Sequence, residues 1–189
     1  MFYDYEVPDE IWELELRVKD FPPGPQHQHD RYVLASIQEA IEAAKEGNFG
    51  VGAVIVDPKG KIVMAGHNHV FNPHFRSDIH AEMDTMNKFE DTFTEVTSMR
   101  DYFLFTSLEP CPMCLTRLIT SGVGQIYHAA PDVETGMVSR LNNLSPVWVD
   151  LADSQIFAQA DCSPELIDIA LQVFLVTANN NTQQLMDRR

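Results

Sequence analysis

Residues 106–122, TSLEPCPMCLTRLITSG, decide the fold of this chain. Cys111 and Cys114 are separated by two residues, and Pro112 follows the first of them directly. Proline suits the first turn of a helix because an N–H there has no intrahelical partner. Gly122 is a typical helix end. The stretch therefore predicts a helix that begins at the cysteine pair, with both thiols near its positive N-terminal end.

This cysteine pair has three interpretations when it is taken alone. Two thiolates at this spacing can bind one zinc ion at about 2.3 Å each. The pair is equally compatible with a redox couple or with two small buried residues. Upstream, His80 and Glu82 form an H-x-E motif that adds an imidazole and a carboxylate. Because residues i and i+2 do not share a helix face, we expect His80 at the very start of a helix.

The number of ligands separates a catalytic from a structural zinc site. One histidine and two cysteines leave one tetrahedral position for water, which is typical of a catalytic zinc. A structural zinc would require a fourth protein ligand, and a redox pair would leave the H-x-E motif unexplained. The candidates for a fourth ligand are His67, His69, His74 and Cys162.

The segments around the motif alternate between helix and strand patterns. Helices are predicted from Asp30, as a cap, to Gly47, and again after Ser163, also as a cap. The runs VGAVIV and KIVMAGH predict a hairpin because DPKG between them is a turn sequence. HAEMDTMNKFE predicts a further helix, and DYFLFTS and QIYHAA predict two more strands. This order favours an α/β layered domain with a mixed sheet.

The charge of the chain bears on its partners. Thirteen Lys and Arg oppose 28 Asp and Glu, which gives a formal net charge of −15. Nucleic-acid binding depends on basic residues that neutralise phosphates, so this charge counts against a polyanionic partner. No apolar run approaches the roughly 20 residues of a membrane span. The acidic N-terminus lacks the regions of a signal peptide, and three cysteines suit a reducing compartment, so we expect a cytoplasmic protein.

The combined pattern H-x-E followed by P-C-x-x-C is the signature of zinc nucleobase deaminases. With it, the chain resembles the cytidine deaminase superfamily, and within that the bacterial guanine deaminases and tRNA adenosine deaminases. The stretches that carry the resemblance are VGAVIV, GHN, HAE, TSLEPCPMC and SGV. The resemblance implies an α/β fold, a three-layer α/β/α sandwich around a five-stranded mixed sheet. It also implies a homodimer.

The resemblance divides the chain and implies roles for its site residues. Residues 30–178 correspond to a zinc-dependent deaminase domain. Residues 1–29 form an acidic, proline-containing N-terminal extension, where Pro22, Pro23 and Pro25 exclude helix, and residues 179–189 form a polar tail expected to fray. One catalytic Zn²⁺ per chain would be held by His80, Cys111 and Cys114, and Glu82 would move protons. The candidate substrate contacts are Asn68, Ile79, Ala81, Glu109 and Arg76.

Two segments depart from the family pattern. The residues before HAE are usually Asp-Pro-Thr-Ala, whereas here they run from Arg76 to Ile79. Ile79 either narrows the site or packs under the helix. Arg76 either recognises a carbonyl, carboxylate or phosphate of the substrate or forms a surface ion pair. After QIYHAA, Asp132 and Glu134 are the candidates for the acidic residue by which guanine deaminases reach the base.

We expect hydrolytic deamination of a free nucleobase or related aminated heterocycle, with guanine as the first candidate and ammonia as a product. The alternatives are a tRNA-specific adenosine deaminase, which converts adenosine to inosine, and a cytosine or nucleoside deaminase. A zinc-stabilised scaffold without catalytic activity is the alternative outside the enzymes. The expected partners are a small nucleobase-type substrate and a second copy of the chain, with neither nucleic acid nor membrane.

Overall fold

The computed structural model describes residues 5–22 and 27–189. Pro22 lies outside any helix, as predicted, whereas Pro23 and Pro25 fall outside the described residues. None of the helices described has the length and hydropathy to span a bilayer.

The centre of the fold is one mixed sheet of five strands. Its strands lie in the order β2-β1-β3-β4-β5. β1 pairs antiparallel with both of its neighbours, and β3, β4 and β5 run parallel to one another. The predicted five-stranded mixed sheet is therefore confirmed. The strands are β1 (Gly52–Val56), β2 (Ile62–His67), β3 (Phe103–Leu108), β4 (Gln125–Ala130) and β5 (Ile156–Gln159).

Helices cover both faces of this sheet, which confirms the three-layer sandwich. α2 and α6 pack on one face, and α3 and α4 pack on the other. α1 lies against α2 and α6, and α5 lies against α4. The helices are α1 (Asp9–Lys19), α2 (Asp30–Lys45), α3 (Ala81–Thr92), α4 (Pro112–Ser121), α5 (Pro146–Ala152) and α6 (Pro164–Met186), with a 3₁₀ helix at Val138–Asn143.

The predicted hairpin is confirmed as the β1–β2 pair, and its turn shows why the sequence forms it. The Asp57 carboxylate oxygen Oδ1 accepts hydrogen bonds from the backbone N–H groups of Lys59 (2.8 Å) and Lys61 (2.9 Å). Gly60 has a φ of 79°, which favours glycine because it has no Cβ. The turn chemistry thus fixes the register that places Asn68 at the end of β2.

Hydrogen bonds join the start of α2 to the start of α6, the two helix starts predicted from capping residues. α2 begins at Asp30, with His29 rather than Asp30 in the cap position. Ser163 occupies the cap position of α6, as predicted, but its side chain makes no capping hydrogen bond. The Asp30 carboxylate accepts hydrogen bonds from the backbone N–H of Ser163 (2.6 Å) and from its hydroxyl (2.8 Å). The acidic side chain expected to cap its own helix therefore joins the start of α2 to the start of α6.

The two ends of the chain pack more closely than the sequence indicates. Ile11, Leu14 and Val18 of α1 are buried against α2 and α6, at an i, i+3, i+7 spacing typical of one helix face. Residues 179–189, expected to fray, instead continue α6 to Met186, and Asn181 within them is buried. Apart from Asn181 and the half-buried Leu185, the side chains of this extension are exposed.

Candidate active site

The N-termini of α3 and α4 meet at the predicted zinc-binding residues. His80 immediately precedes α3 in the cap position, as its H-x-E spacing predicted. Cys111 occupies the same position on α4, and Cys114 lies in the first turn of that helix. Both helices direct their positive ends towards this point, which favours thiolates there.

The donor atoms of these three residues form one compact group. The ligand atoms of His80, Cys111 and Cys114 lie within 4.8 Å of one another. His80 Nδ1 is 3.6 Å from Cys111 Sγ, and Cys114 is fully buried. Across residues 5–22 and 27–189, no fourth His, Cys, Asp or Glu joins the group. One nitrogen and two sulfur donors match a catalytic zinc in type and number.

Contacts within the group shift the pKa values of its two thiols in opposite directions. A hydrogen bond from Cys114, together with one from His80, lowers the pKa of Cys111 to about 4. The same contact with Cys111, together with burial, raises the pKa of Cys114 well above its ordinary value. Cys111 is therefore a thiolate at neutral pH, whereas Cys114 has to release its proton when a metal binds.

Glu82 lies beside this group in the first turn of α3. It is 4% exposed. Burial raises the pKa of its carboxyl, and the negative charge of the Cys111 thiolate adds to this shift. A buried carboxyl group next to a cation site can take up and release protons during a reaction.

Asn68 follows β2 directly and is 2% exposed. Its backbone N–H donates to the carbonyl of Val51 (3.0 Å), and its side-chain oxygen accepts the N–H of Val70 (3.0 Å). The side chain thus forms the turn that Asn and Asp often form after a strand. Its amide nitrogen has no hydrogen-bond partner among the residues the structure describes, so it can donate to a ligand.

The segment before α3 contributes an ion pair at the surface. Arg76 donates from Nε to Asp78 Oδ1 (2.9 Å) and from Nη2 to Asp78 Oδ2 (2.8 Å). Both side chains are about half exposed. Ile79 is half-buried and Ala81 is fully buried. The guanidinium is therefore already engaged in a bidentate pair in this structure.

The Glu109 carboxylate holds a loop in place by accepting hydrogen bonds from its backbone. Its two carboxylate oxygens accept the backbone N–H groups of Asp132 (3.1 Å) and Ser139 (3.1 Å). A Cβ on Gly136 would lie 2.5 Å from the Glu109 carboxyl carbon, so this loop position requires glycine. The Asp132 carboxylate accepts N–H groups of its own turn, from Glu134 and Thr135. These contacts hold the loop after β4 next to the cysteine segment.

Asn48 is a site-supporting residue that sequence reasoning missed. It is fully buried, and its side-chain oxygen accepts the backbone N–H groups of Phe71 (2.8 Å) and Asn72 (3.0 Å). This fixes the loop that leads from Asn68 to His80. A single asparagine between two elements has no spacing pattern that would reveal this role.

The sequence of this chain is similar to a protein-family model and to characterised proteins. Residues 26–130 match the family model for the cytidine and deoxycytidylate deaminase zinc-binding region. The tRNA-specific adenosine deaminase of Bacillus subtilis is 33% identical over 120 residues, which cover 62% of this chain and 71% of that protein.

Solved structures share the fold at low identity. A structure from a study of A-to-I editing by tRNA:A34 deaminases superposes with a TM-score of 0.64 at 17% identity, over 76% of this chain and 98% of that one. A guanine deaminase from Nitrosomonas europaea gives a TM-score of 0.59 at 18% identity, over 93% and 99% of the two chains. At these identities the likeness concerns the fold alone.

Proposed function

This chain belongs to the cytidine and deoxycytidylate deaminase family and is a zinc-dependent hydrolytic deaminase, and we propose that it acts on a free nucleobase or a related aminated heterocycle. Guanine is the first candidate. The observation that carries the chemistry is the buried Glu82 beside a group of three donors that no fourth ligand joins within the described residues. A purely structural zinc site has no need of that carboxyl group.

We assign the metal to His80, Cys111 and Cys114. Their nitrogen and sulfur donors fit zinc, and the thiolate of Cys111 is present before any cation arrives. When bound, zinc supplies the Lewis acidity that makes hydroxide available from water near neutral pH.

Glu82 is the proposed proton carrier. Its carboxylate takes a proton from the attacking water and passes it to a ring nitrogen of the substrate. As the C–O bond forms, the carbon becomes tetrahedral. Glu82 then takes the remaining proton from the new hydroxyl group and delivers it to the exocyclic amine, so the C=O bond forms while the C–N bond breaks and ammonia leaves. Burial supports this role, because a carboxyl group with a raised pKa protonates readily.

The substrate is oriented by groups around this centre. The amide nitrogen of Asn68 is the proposed donor to a ring acceptor of the base. Glu109 acts through the loop it anchors, and the half-buried Ile79 supplies apolar surface beside His80, whereas Ala81 packs in the core. Arg76 would reach a substrate only after leaving Asp78. A homodimer, expected from the resemblance, stays a prediction.

The net charge of the chain is the reason for proposing a free base rather than a nucleic acid as the substrate. A net charge of −15 opposes the approach of a polyanion. A second candidate, adenosine in tRNA, is favoured by the sequence similarity to the Bacillus subtilis tRNA-specific adenosine deaminase. The two candidates differ in salt dependence, because binding through phosphates weakens steeply as salt increases.

The test is ammonia release by the zinc-loaded full chain. The panel contains guanine, cytosine, adenine, their nucleosides, aminated triazines, pterins and an adenosine-containing anticodon stem-loop. We expect turnover of a free base, weakly dependent on salt. Turnover of the stem-loop alone, suppressed by salt, would replace the first candidate with the second.

A matched pair of variants on α3 checks the chemistry. Glu82→Gln should retain zinc and lose turnover by about 10²–10⁴-fold, the usual contribution of general acid–base catalysis. The control Asp91→Asn changes an exposed carboxylate of the same helix and should match the wild type. Wild-type turnover in Glu82→Gln would contradict the assignment.

A further inference from the structure

A second group of potential metal ligands lies at the end of β2, apart from the cysteine site. We call it the His67–His69 cluster, and it consists of Glu46, His67 and His69, whose ligand atoms lie within 4.8 Å of one another. Glu46 Oε2 is 3.3 Å from His67 Nε2 and 3.4 Å from His69 Nδ1. The two imidazole rings lie side by side, with centroids 4.3 Å apart.

These separations match those between ligands of one ion. Ligand atoms about 2.1 Å from a tetrahedral cation lie about 3.4 Å from each other. His69 Nδ1 is buried and, despite its distance of 3.4 Å from Glu46 Oε2, makes no hydrogen bond within the described residues. This buried ring nitrogen thus lacks the hydrogen-bond partner that buried polar atoms usually have, and a cation between it and Glu46 would supply one.

Each imidazole has a further carboxylate near its other ring nitrogen, the one that does not face Glu46. Glu39 Oε2 is 2.8 Å from His67 Nδ1, and Asp84 Oδ2 is 3.8 Å from His69 Nε2. Metal-binding histidines usually direct their second ring nitrogen to a carboxylate, which fixes the tautomer and makes the ligating nitrogen more basic. In the tautomer that donates its Nδ1 proton to Glu39, His67 presents the lone pair of Nε2 on the side of Glu46, where a cation would replace the proton.

The local charge also favours a cation. Glu39, Glu46 and Asp84 bring three carboxylates around the two rings. One cation, Lys88 Nζ, lies 2.6 Å from Asp84 Oδ2. The remaining negative charge of these carboxylates is what a divalent ion would neutralise.

We propose that Glu46, His67 and His69 form a second metal site, which binds a divalent first-row transition cation such as Zn²⁺ through two imidazoles and one carboxylate. This donor set, without sulfur, suits zinc, nickel or copper better than calcium or magnesium. The ion would join the end of α2 to the end of β2. None of its ligands belongs to the cysteine site, but two of them flank Asn68, the proposed donor to the substrate.

Zinc stoichiometry tests the site on the full chain. After equilibrium dialysis against micromolar Zn²⁺ and elemental analysis, we expect the wild type to hold one equivalent more than His69→Gln. The control His74→Gln changes an exposed histidine of the following loop and should match the wild type. Equal zinc content in the wild type and in His69→Gln would overturn the proposal.

Cobalt distinguishes the two sites by their spectra. Thiolate ligands give Co²⁺ an intense near-ultraviolet charge-transfer band, whereas imidazole and carboxylate ligands do not. The equivalent lost in His69→Gln should therefore be one that binds without adding to this band. If the band grows with both equivalents, the second ion binds to cysteine and the proposal fails.

Glu46→Gln keeps the test decisive if His69→Gln does not fold. The Glu46 side chain is 46% exposed, so the variant should fold, and it should lose the same equivalent. A second equivalent that Glu46→Gln retains with wild-type affinity would assign the binding elsewhere. Ammonia release plays no part in these measurements, so they stand whether or not the proposed substrate is correct.

Discussion

At the scale of single residues, Glu109 shows how a side chain can be important for a reason that its sequence motif does not indicate. The family resemblance implies that it is a substrate contact. In the structure it is 6% exposed, and both carboxylate oxygens accept backbone N–H groups of the loop after β4. A buried carboxylate that accepts such bonds is fixed in place. Its contacts support a positioning role.

Replacing Glu109 with alanine should destabilise the protein. Glu109→Ala removes the hydrogen bonds from the half-buried Asp132 and the exposed Ser139, and each such bond contributes about 0.5–1.5 kcal/mol of unfolding free energy. Glu109→Gln keeps one acceptor oxygen and should lose less. Urea unfolding measures both variants against Glu134→Ala, an exposed change in the same loop. An alanine variant as stable as the control would contradict the anchoring role.

At the scale of elements, a small charge network joins α1 to α2. Lys45 Nζ lies 3.0 Å from Glu15 Oε1, and Lys19 Nζ lies 2.9 Å from the same oxygen. The Lys45 and Glu15 side chains are only 17% and 19% exposed, so solvent screens their interaction less than that of a surface pair. The network holds the N-terminal helix on the domain.

This network should make stability depend on pH in the acid range. Hydrogen bonds from Lys19 and Lys45 lower the pKa of Glu15. A carboxyl group whose pKa is lower in the folded state stabilises the fold above its unfolded pKa of about 4.3, and this contribution is lost as the pH falls through the folded pKa. Glu15→Gln should therefore be less stable than the wild type at pH 7, by roughly 1 kcal/mol, and the difference should vanish in acid.

Thermal unfolding between pH 7 and pH 3 measures this difference. Glu13→Gln removes an exposed carboxylate of the same helix and serves as the control. A gap between Glu15→Gln and the wild type that stays constant down to pH 3 would show that the charge of Glu15 is not its source.

At the scale of the whole molecule, zinc should contribute to the stability of the fold. The proposed ligands join the start of α3 to the start of α4, and these donors come together only in the folded chain. A ligand that binds the folded state alone stabilises it by about 2.7 kcal/mol at 100 times its dissociation constant. Removing zinc with a chelator should therefore lower the Tm.

Two variants assign that shift to a site. Cys111→Ser should show a smaller chelator effect than the wild type, because it lacks one thiolate ligand. His69→Gln keeps the cysteine site intact and should still lose Tm when zinc is removed. An unchanged Tm of the zinc-loaded wild type in chelator would contradict a stabilising metal.

The parts of the fold that sequence predicted are those with local causes. The β1–β2 hairpin follows from its turn, and the start of α4 follows from Pro112 and the cysteine spacing. β5 was not identified from its own residues, because a four-residue strand derives its stability from parallel pairing with β4. α1 and α5 were missed for a related reason: each is short, and its stability depends on packing against a neighbouring helix.

For the site, the sequence by itself determined which residues are the candidate metal donors and the candidate proton carrier, because metal-ligand spacing and helix starts are local properties of the chain. Only the tertiary structure decided which partners these side chains meet. It placed His80 next to Cys111, turned Glu109 towards a loop and brought Glu46 to His67 and His69. Contacts between residues far apart in sequence depend on how the elements pack, and no spacing along the chain encodes them.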